Sequence, residues 1–364
     1  MKMTLAATLR HYDKKNFIKD LLAGIIIMAV SIPISMGYAQ IAGLPAVYGL
    51  YGSVFPILIF ALSSTSPQFI FGVDAAPAAL IGSALLSLHI ESGSEEAMAV
   101  VPVLTFFVAL WLLAFYIMKA GKLVNYISAP VMGGFITGIC TTIILMQVPK
   151  LMGGSAGTGE FFELAEHIIK TAKDINWQSV VLGLAALVLL LVCKKLIPKF
   201  PMAVLLMIAG AGMTYLLPIE DWGVQTLASV DTGLPHWTVP DFSVISIREA
   251  VTISLSVAVV IMAETLLAEN NFAQKNGYRI NDNQEILAFS MGNFLAAFTG
   301  CCPINGSVSR TSMGEQYQAK TQLTGIIAGL SMIVVLVCAT GFIGYLPVLS
   351  LIHISEPTRR SYIS

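Results

Sequence analysis

Apolar stretches long enough to cross a bilayer recur along this chain, and they constrain its fold more than any other feature. They lie near 18–38, 46–63, 74–90, 98–118, 126–148, 177–195, 201–217, 248–268, 284–300, 307–318 and 322–346. A helix of about 20 apolar residues matches the hydrocarbon thickness of a membrane. Backbone groups buried in lipid must be paired within the segment itself, which leaves little besides helices. The composition agrees. The chain is 56% hydrophobic and 11% charged, with a mean hydropathy of +0.80, whereas soluble domains carry about 25% charged residues. The reading is an all-α polytopic membrane protein with the lipid bilayer as its surroundings. A weakly amphipathic piece, 159–173, is expected at the surface.

A net charge of −1 and the lack of a basic stripe with interleaved aromatics set nucleic acid aside as a partner. The first 20 residues are polar and basic and do not read as a cleavable signal. The five cysteines, Cys140, Cys193, Cys301, Cys302 and Cys338, have no spacing that suggests zinc and read as buried thiols that pack. No metal and no cofactor is expected, apart from H⁺ or Na⁺ as a coupling ion.

Short-loop charges orient the spans. Lys2, Arg10, Lys14, Lys15 and Lys19 precede the first span and place the N-terminus in the cytoplasm. Counting onward, Lys119 and Lys122, then Lys194, Lys195 and Lys199, then Lys275 and Arg279, then Lys320 fall inside. The acidic loops holding Glu91, Glu95 and Glu96, and Glu220, Asp221, Asp231 and Asp241, fall outside. Lys150 alone is a short-loop cation on the wrong side.

Two segments begin abnormally. Cys301 to Gln316, CCPINGSVSRTSMGEQ, breaks an apolar region with Pro303, Gly306 and four hydroxyl residues around Arg310. A helix starting near Ser307 would present free N–H groups and a positive dipole end, which beside an arginine suits an anion. Ser63 to Gly72, SSTSPQFIFG, is similar: polar residues, Pro67, and a short β-prone run ahead of Asp74 and Pro77, both marks of a helix start. Paired broken helices in corresponding positions point to a transporter site at an inverted-repeat interface; two kinked helices with ordinary caps are the plainer alternative.

Charges inside the spans each need a reason. Glu264, followed by Thr265, falls near mid-depth of the eighth span, as a coupling site or as a hydrogen-bond partner of another helix. Asp74 either couples or caps its own helix. Arg310 binds substrate, neutralises Glu264, or does both. Tyr38 and Gln40 end the first span, facing a cavity or anchoring at the interface. Gly24, Gly37, Gly43, Gly49 and Gly52, and Gly133, Gly134 and Gly138, are read as sites of close helix approach.

Several motifs together resemble the SulP anion-permease family, the bacterial relatives of animal sulfate, chloride and bicarbonate exchangers and of prestin. They are PISMGYAQIAGLPAVYGLYGSVFP from Pro33, NYISAPVMGGFITG from Asn125, NDNQEILAFSMGN from Asn281, residues 302–310, and KTQLTG from Lys320. The resemblance covers about 17–348. It implies two inverted seven-segment repeats, a core domain moving against a gate domain, and two half-helices preceded by short strands. Of the fourteen segments about eleven are present, so the second repeat is incomplete and a C-terminal STAS domain is absent. It also implies an anion site lined by Tyr38, Val73, Asp74, Ala75, Ser307, Val308, Ser309 and Arg310, with Glu264 and Thr265 at the coupling-ion position. Ile34 and Asp74 depart from residues common in the family, and an acidic Asp74 favours proton coupling over simple exchange.

The expected function is secondary active transport of a small anion (sulfate, bicarbonate or a dicarboxylate) across the inner membrane, coupled to H⁺ or Na⁺, by a protein that is not an enzyme and is expected as a homodimer. A nucleobase permease of the same general fold is the alternative, and Arg310 counts against it; an uncoupled exchanger or channel is another. A membrane aspartyl protease is disfavoured because Asp74 has no second carboxylate in a matching motif.

Residues 349–364 abandon the family pattern, and LSLIHISEPTR from Leu349 resembles the translation of a transposon-type sequencing adapter. A foreign tail is therefore expected. Sequencing the gene through Val348 from genomic DNA should reveal a different continuation; a read that still encodes LIHISEPTR would remove this expectation.

Overall fold

The computed structural model describes residues 12–122, 129–154, 161–196, 202–217, 222–224, 226–227, 230, 232–338 and 340–346. The tail expected from 349 onward lies outside them. A 3-10 turn, Lys14–Asn16, leads into α1 (Phe17–Ile41). The second apolar stretch is two helices, α2 (Val47–Tyr51) and α3 (Phe55–Ser63), parted at Gly52. The two-residue strand β1 (Phe71–Gly72) follows, then α4 (Ala75–Ser87) and α5 (Glu95–Ile117). α5 opens where the Ser94 side chain accepts from the Ala97 N–H at 3.1 Å, with Glu95 and Glu96 at the positive end of the helix.

Next come α6 (Ala129–Leu151), the short amphipathic α7 (Phe161–Thr171), α8 (Trp177–Leu196) and α9 (Met202–Leu216). The long α10 (Ile247–Asn276) runs about two turns beyond the expected 268 and stops at Gly277, whose φ of 73° is the left-handed cap that glycine adopts without penalty. α11 (Asp282–Phe298), β2 (Asn305–Gly306), α12 (Val308–Gln316) and α13 (Leu323–Cys338) complete the order, with a 3-10 turn at Thr340–Tyr345. Among the described residues, Lys14–Ile41, Glu95–Ile117 and Ile247–Asn276 are long and apolar enough to cross a membrane, and five shorter apolar helices accompany them.

α1 lies against α2 and α13, while α5 packs on α10 and α11, and α3 on α11 and α13. The helices α6 to α9 form a separate set: α6 packs on α7 and α8, α8 on α9, and α9 reaches α1. This second set presents Val181, Val188 and Leu191 of α8 and Ile208 of α9 outward, as a lipid-facing surface requires. In the first set the rings of Phe60, Phe71 and Phe289 stack, with Phe71 4.7 Å from Phe60 and 5.4 Å from Phe289, joining α3, β1 and α11.

The irregular chain between α3 and β1 runs through this apolar interior, so each of its polar groups needs a partner. The motif NDNQE supplies several. Gln284 Nε2 donates to the Ser63 carbonyl at 2.8 Å; the carboxylate of Glu285 accepts from Ser64 Oγ at 2.7 Å and from the Thr65 amide at 2.6 Å. From the other side, Gln322 Nε2 donates to the carbonyls of Ser66 at 2.7 Å and Phe69 at 2.8 Å, and Gln68 Nε2 to that of Ala319 at 2.7 Å. The approach to β2 is held likewise. Asn293 of α11 accepts from the Ile304 N–H at 2.9 Å and donates to its carbonyl at 3.2 Å, and Thr105 of α5 donates to the Cys301 carbonyl at 3.0 Å. Asp20 of α1 is buried, accepting from the amides of Lys320 and Thr321 and from the hydroxyls of Thr321 and Thr324 at the start of α13.

Some local expectations change. A methyl group on Gly24 would come within 2.7 Å of Ile327, and one on Gly49 or Gly52 would collide with Ser35 or with Cys301, so close approach holds there. Gly134 and Gly138 face open space instead, because α6 turns that side away from its neighbours, and Gly43 serves a turn at φ 77°. Cys301 and Cys302 are buried and free, but Cys338 is exposed on α13; the side chain of Cys140 lies outside the described residues.

Replacing Asn293 by Ala leaves the Ile304 amide and carbonyl buried without partners. The expected cost is about 2–4 kcal/mol, read as a lower unfolding temperature of the detergent-purified protein; an unchanged temperature would remove Asn293 from this role.

Candidate functional site

β1 and β2 pair antiparallel, Phe71 opposite Gly306 and Gly72 opposite Asn305. The chain leaves them in opposite directions, into α4 and α12, so the first turns of both helices converge on the ladder. The Ser307 N–H donates to the Ile70 carbonyl at 2.8 Å. Thr311 Oγ1 accepts from the Ile70 N–H at 3.0 Å and donates to the Ser307 carbonyl at 2.7 Å. The side chains of the two N-cap residues, Asp74 and Ser307, close no capping hydrogen bond on their own helices. Of the two roles open to Asp74 from sequence, capping is thus not used. Helix N-termini of this kind attract anions through their N–H groups and dipoles.

Arg310 bridges the two halves. Its side chain runs from the first turn of α12 back to the end of β1, where Nη2 donates to the Val73 carbonyl at 2.6 Å. A methyl group on Gly72 would lie 3.0 Å from Nη1, so the glycine lets the guanidinium pass close to the strand. Arg310 is fully buried, yet its Nε and Nη1 have no hydrogen-bond partner. Asp74 is the charged group that acts on it, and the neutral Tyr38 hydroxyl of α1 lies nearby.

The other predicted lining residues gather here. Val73, Asp74 and Ala75 are buried at the start of α4, and Tyr38 is buried on α1, whereas Gln40 is exposed. Ser307 is buried, Val308 and Ser309 are half-buried, and the hydroxyls of Ser307 and Ser309 are 3.2 Å apart. Glu264 and Thr265 of α10 stand behind β2. Asn305 Nδ2 donates to Glu264 Oε2 at 2.8 Å, Thr265 Oγ1 donates to Asn305 Oδ1, and the Gly306 N–H donates to Thr265 Oγ1 at 3.1 Å. The hydrogen-bond role left open for Glu264 is met by Asn305, and through it the carboxylate reaches the strand that feeds α12.

Three polar residues had no assigned role in the sequence reading. Asn305 carries the link from α10, and only its place before Gly306 in the broken segment hinted at it. Glu269, five residues after Glu264, is fully buried and interacts with Glu285 of α11; it sits beyond the expected end of the eighth span and so escaped attention. Lys150 is the third. Among the described residues no group of three or more His, Cys, Asp or Glu side chains could hold a metal ion.

A sequence model described as the sulfate permease family matches residues 17–355. A probable sulfate transporter of Mycobacterium tuberculosis is 28% identical over 342 residues, covering 94% of this chain and 61% of the relative. Prestin of Danio rerio is 27% identical over 360 residues, covering 91% and 48%. The chain thus spans about half to three fifths of the length of the curated relatives it matches. The fold matches the murine solute carrier 26 family member A9 anion transporter in the inward-facing state, with a TM-score of 0.83 and 22% identity over 99% of this chain and 65% of that one. It also matches the transmembrane domain of the cyanobacterium bicarbonate transporter BicA, with a TM-score of 0.81 and 19% identity over 94% and 88%. The inverted-repeat architecture with core and gate domains follows from these likenesses.

A methyl group added at Gly306 would collide with Phe69 and Thr265, on either side of the ladder. Gly306→Ala is therefore expected to destabilise the purified protein by about 1–3 kcal/mol, while Gly134→Ala, which adds a methyl group to open space, leaves its unfolding temperature unchanged. Equal effects of the two substitutions would contradict the packing described.

Proposed function

The chain belongs to the sulfate permease family, and on that premise we propose that it carries a small anion (sulfate, bicarbonate or a dicarboxylate) across the cytoplasmic membrane by alternating access. The observation that supports this most is the buried Arg310 guanidinium, with Nε and Nη1 open, at the meeting of two helix N-termini. Open N–H donors on a buried guanidinium suit the oxygens of a sulfate or carboxylate. A neutral nucleobase would make less of these charged donors, which is why the anion reading is preferred.

Coupling is assigned to Glu264 with Thr265. A carboxylate inside the bilayer calls for a proton or a cation, and Asn305 ties this one to the strand that positions Arg310. Asp74, facing the same arginine, favours a proton over simple exchange of anions. The basic first segment supports a cytoplasmic N-terminus, and a homodimer is the expected assembly.

Uptake of labelled sulfate, bicarbonate and succinate into proteoliposomes holding the intact protein, with and without imposed pH and Na⁺ gradients, tests the proposal. Arg310→Ala should reduce uptake of the transported anion at least tenfold, roughly the loss of a charge-assisted pair. Glu264→Gln should make uptake indifferent to the driving gradient. Unchanged transport in Arg310→Ala would sink the site; wild-type uptake blind to both gradients would sink the coupling role.

A further inference from the structure

Lys150 is the cation whose position contradicted the charge pattern of the loops, and the structure accounts for it. The residue sits in the last turn of α6 and is buried rather than displayed to solvent. Its Nζ has no hydrogen-bond partner, and no acidic side chain among the described residues acts on it. An enclosed ammonium without an acceptor is costly, and such groups inside membrane proteins pair with something.

The surroundings show where an acceptor would fit. A methyl group on Gly37 of α1 would lie 3.9 Å from Lys150 Nζ and within 4 Å of no other neighbouring atom outside its own helix. The side of α1 that meets the ammonium is therefore loosely packed at this point. Gly37 directly precedes Tyr38, which faces Arg310. Gln147, three residues before Lys150 and so on the same face of α6, has an Oε1 that is also buried without a partner. An amide with an unused end can turn its N–H₂ toward the same space.

We propose that Lys150 is a second anion-binding group, which holds the anion in the space beside Gly37 before or after it occupies the Arg310 site. This rests on the anion-transport reading above. The ligand class is a small oxyanion: the ammonium is a compact point charge with three donors and accepts any oxygen presented to it, whereas the donors of Arg310 are fixed in one plane. The two cations belong to different helix sets, Lys150 to α6 and Arg310 to α12, so they address the anion from different sides. A movement of one set against the other changes the distance between them.

The test compares Lys150→Gln, Lys150→Met, Lys150→Arg and Gly37→Leu with wild type, as intact proteins in proteoliposomes, reading half-saturation and maximal rate separately for each labelled anion. Lys150→Gln and Lys150→Met should raise the half-saturating concentration about tenfold, the loss of one charge-assisted contact. Lys150→Arg should stay within about threefold of wild type, because the charge is kept. Gly37→Leu fills the space and should raise half-saturation although Lys150 is intact, which covers the case in which the lysine variants fail to fold. Active wild type with Lys150→Gln and Gly37→Leu both within twofold of it overturns the inference and leaves the Arg310 site standing. If wild type transports none of the anions, the transport reading fails, and equilibrium binding of labelled sulfate to detergent-purified protein decides the rest. Binding that weakens about tenfold in Lys150→Gln supports the inference, and no binding, or binding indifferent to the substitution, overturns it.

Discussion

Everything in this structure depends on how two interruptions of helix are accommodated inside an apolar interior. An unpaired backbone group in lipid costs several kcal/mol, and a broken span exposes many at once. The solution here is mutual. The strand before α4 and the strand before α12 pair with each other, and a ring of side chains, Gln284, Glu285, Asn293, Gln322 and Thr105, pairs what remains. The chain thereby gains two helix N-termini at one point in the membrane, free of their usual capping hydrogen bonds. A place where helix N–H groups converge, suited to negative charge, is the by-product of solving a backbone problem.

The architecture was largely legible before any coordinates. Length and hydropathy located most of the apolar helices, because the bilayer imposes both. The two breaks were visible because proline, glycine and hydroxyl residues are out of place in an apolar run. The helix starts at Asp74 and Ser307 followed from cap chemistry. What could not be read were contacts between distant residues. Nothing local in NDNQE says that Gln284 and Glu285 hold residues 63–65, more than 200 positions away. Nor does a single sequence show that Glu264 meets Asn305 while Arg310 meets Val73. The end of α10 was misplaced because Glu269 and the asparagines after it look like a loop, yet they continue the helix.

Small residues carry much of the specificity. Gly72 allows the guanidinium to lie along the strand, Gly306 fits between Phe69 and Thr265, and Gly52 sits against Cys301 and Val73. Each lies at a crossing where a single methyl group would push apart elements that jointly define the site. Gly134 and Gly138 of α6 show the contrast. Their residue type is the same, but they border open space, so glycine content alone does not identify a close crossing.

The bond from Arg310 to the Val73 carbonyl joins residues 237 positions apart in the chain. During synthesis at the ribosome, the first broken segment therefore enters the membrane long before its partner exists. Its unpaired strand must wait, shielded by water, lipid headgroups or the insertion machinery, until the second break arrives. Long-range pairings of this kind are slow to form and leave reactive edges exposed meanwhile. The meeting point of the two breaks is thus among the last parts of the protein to become native, and damage to either break would first be felt as failed biogenesis.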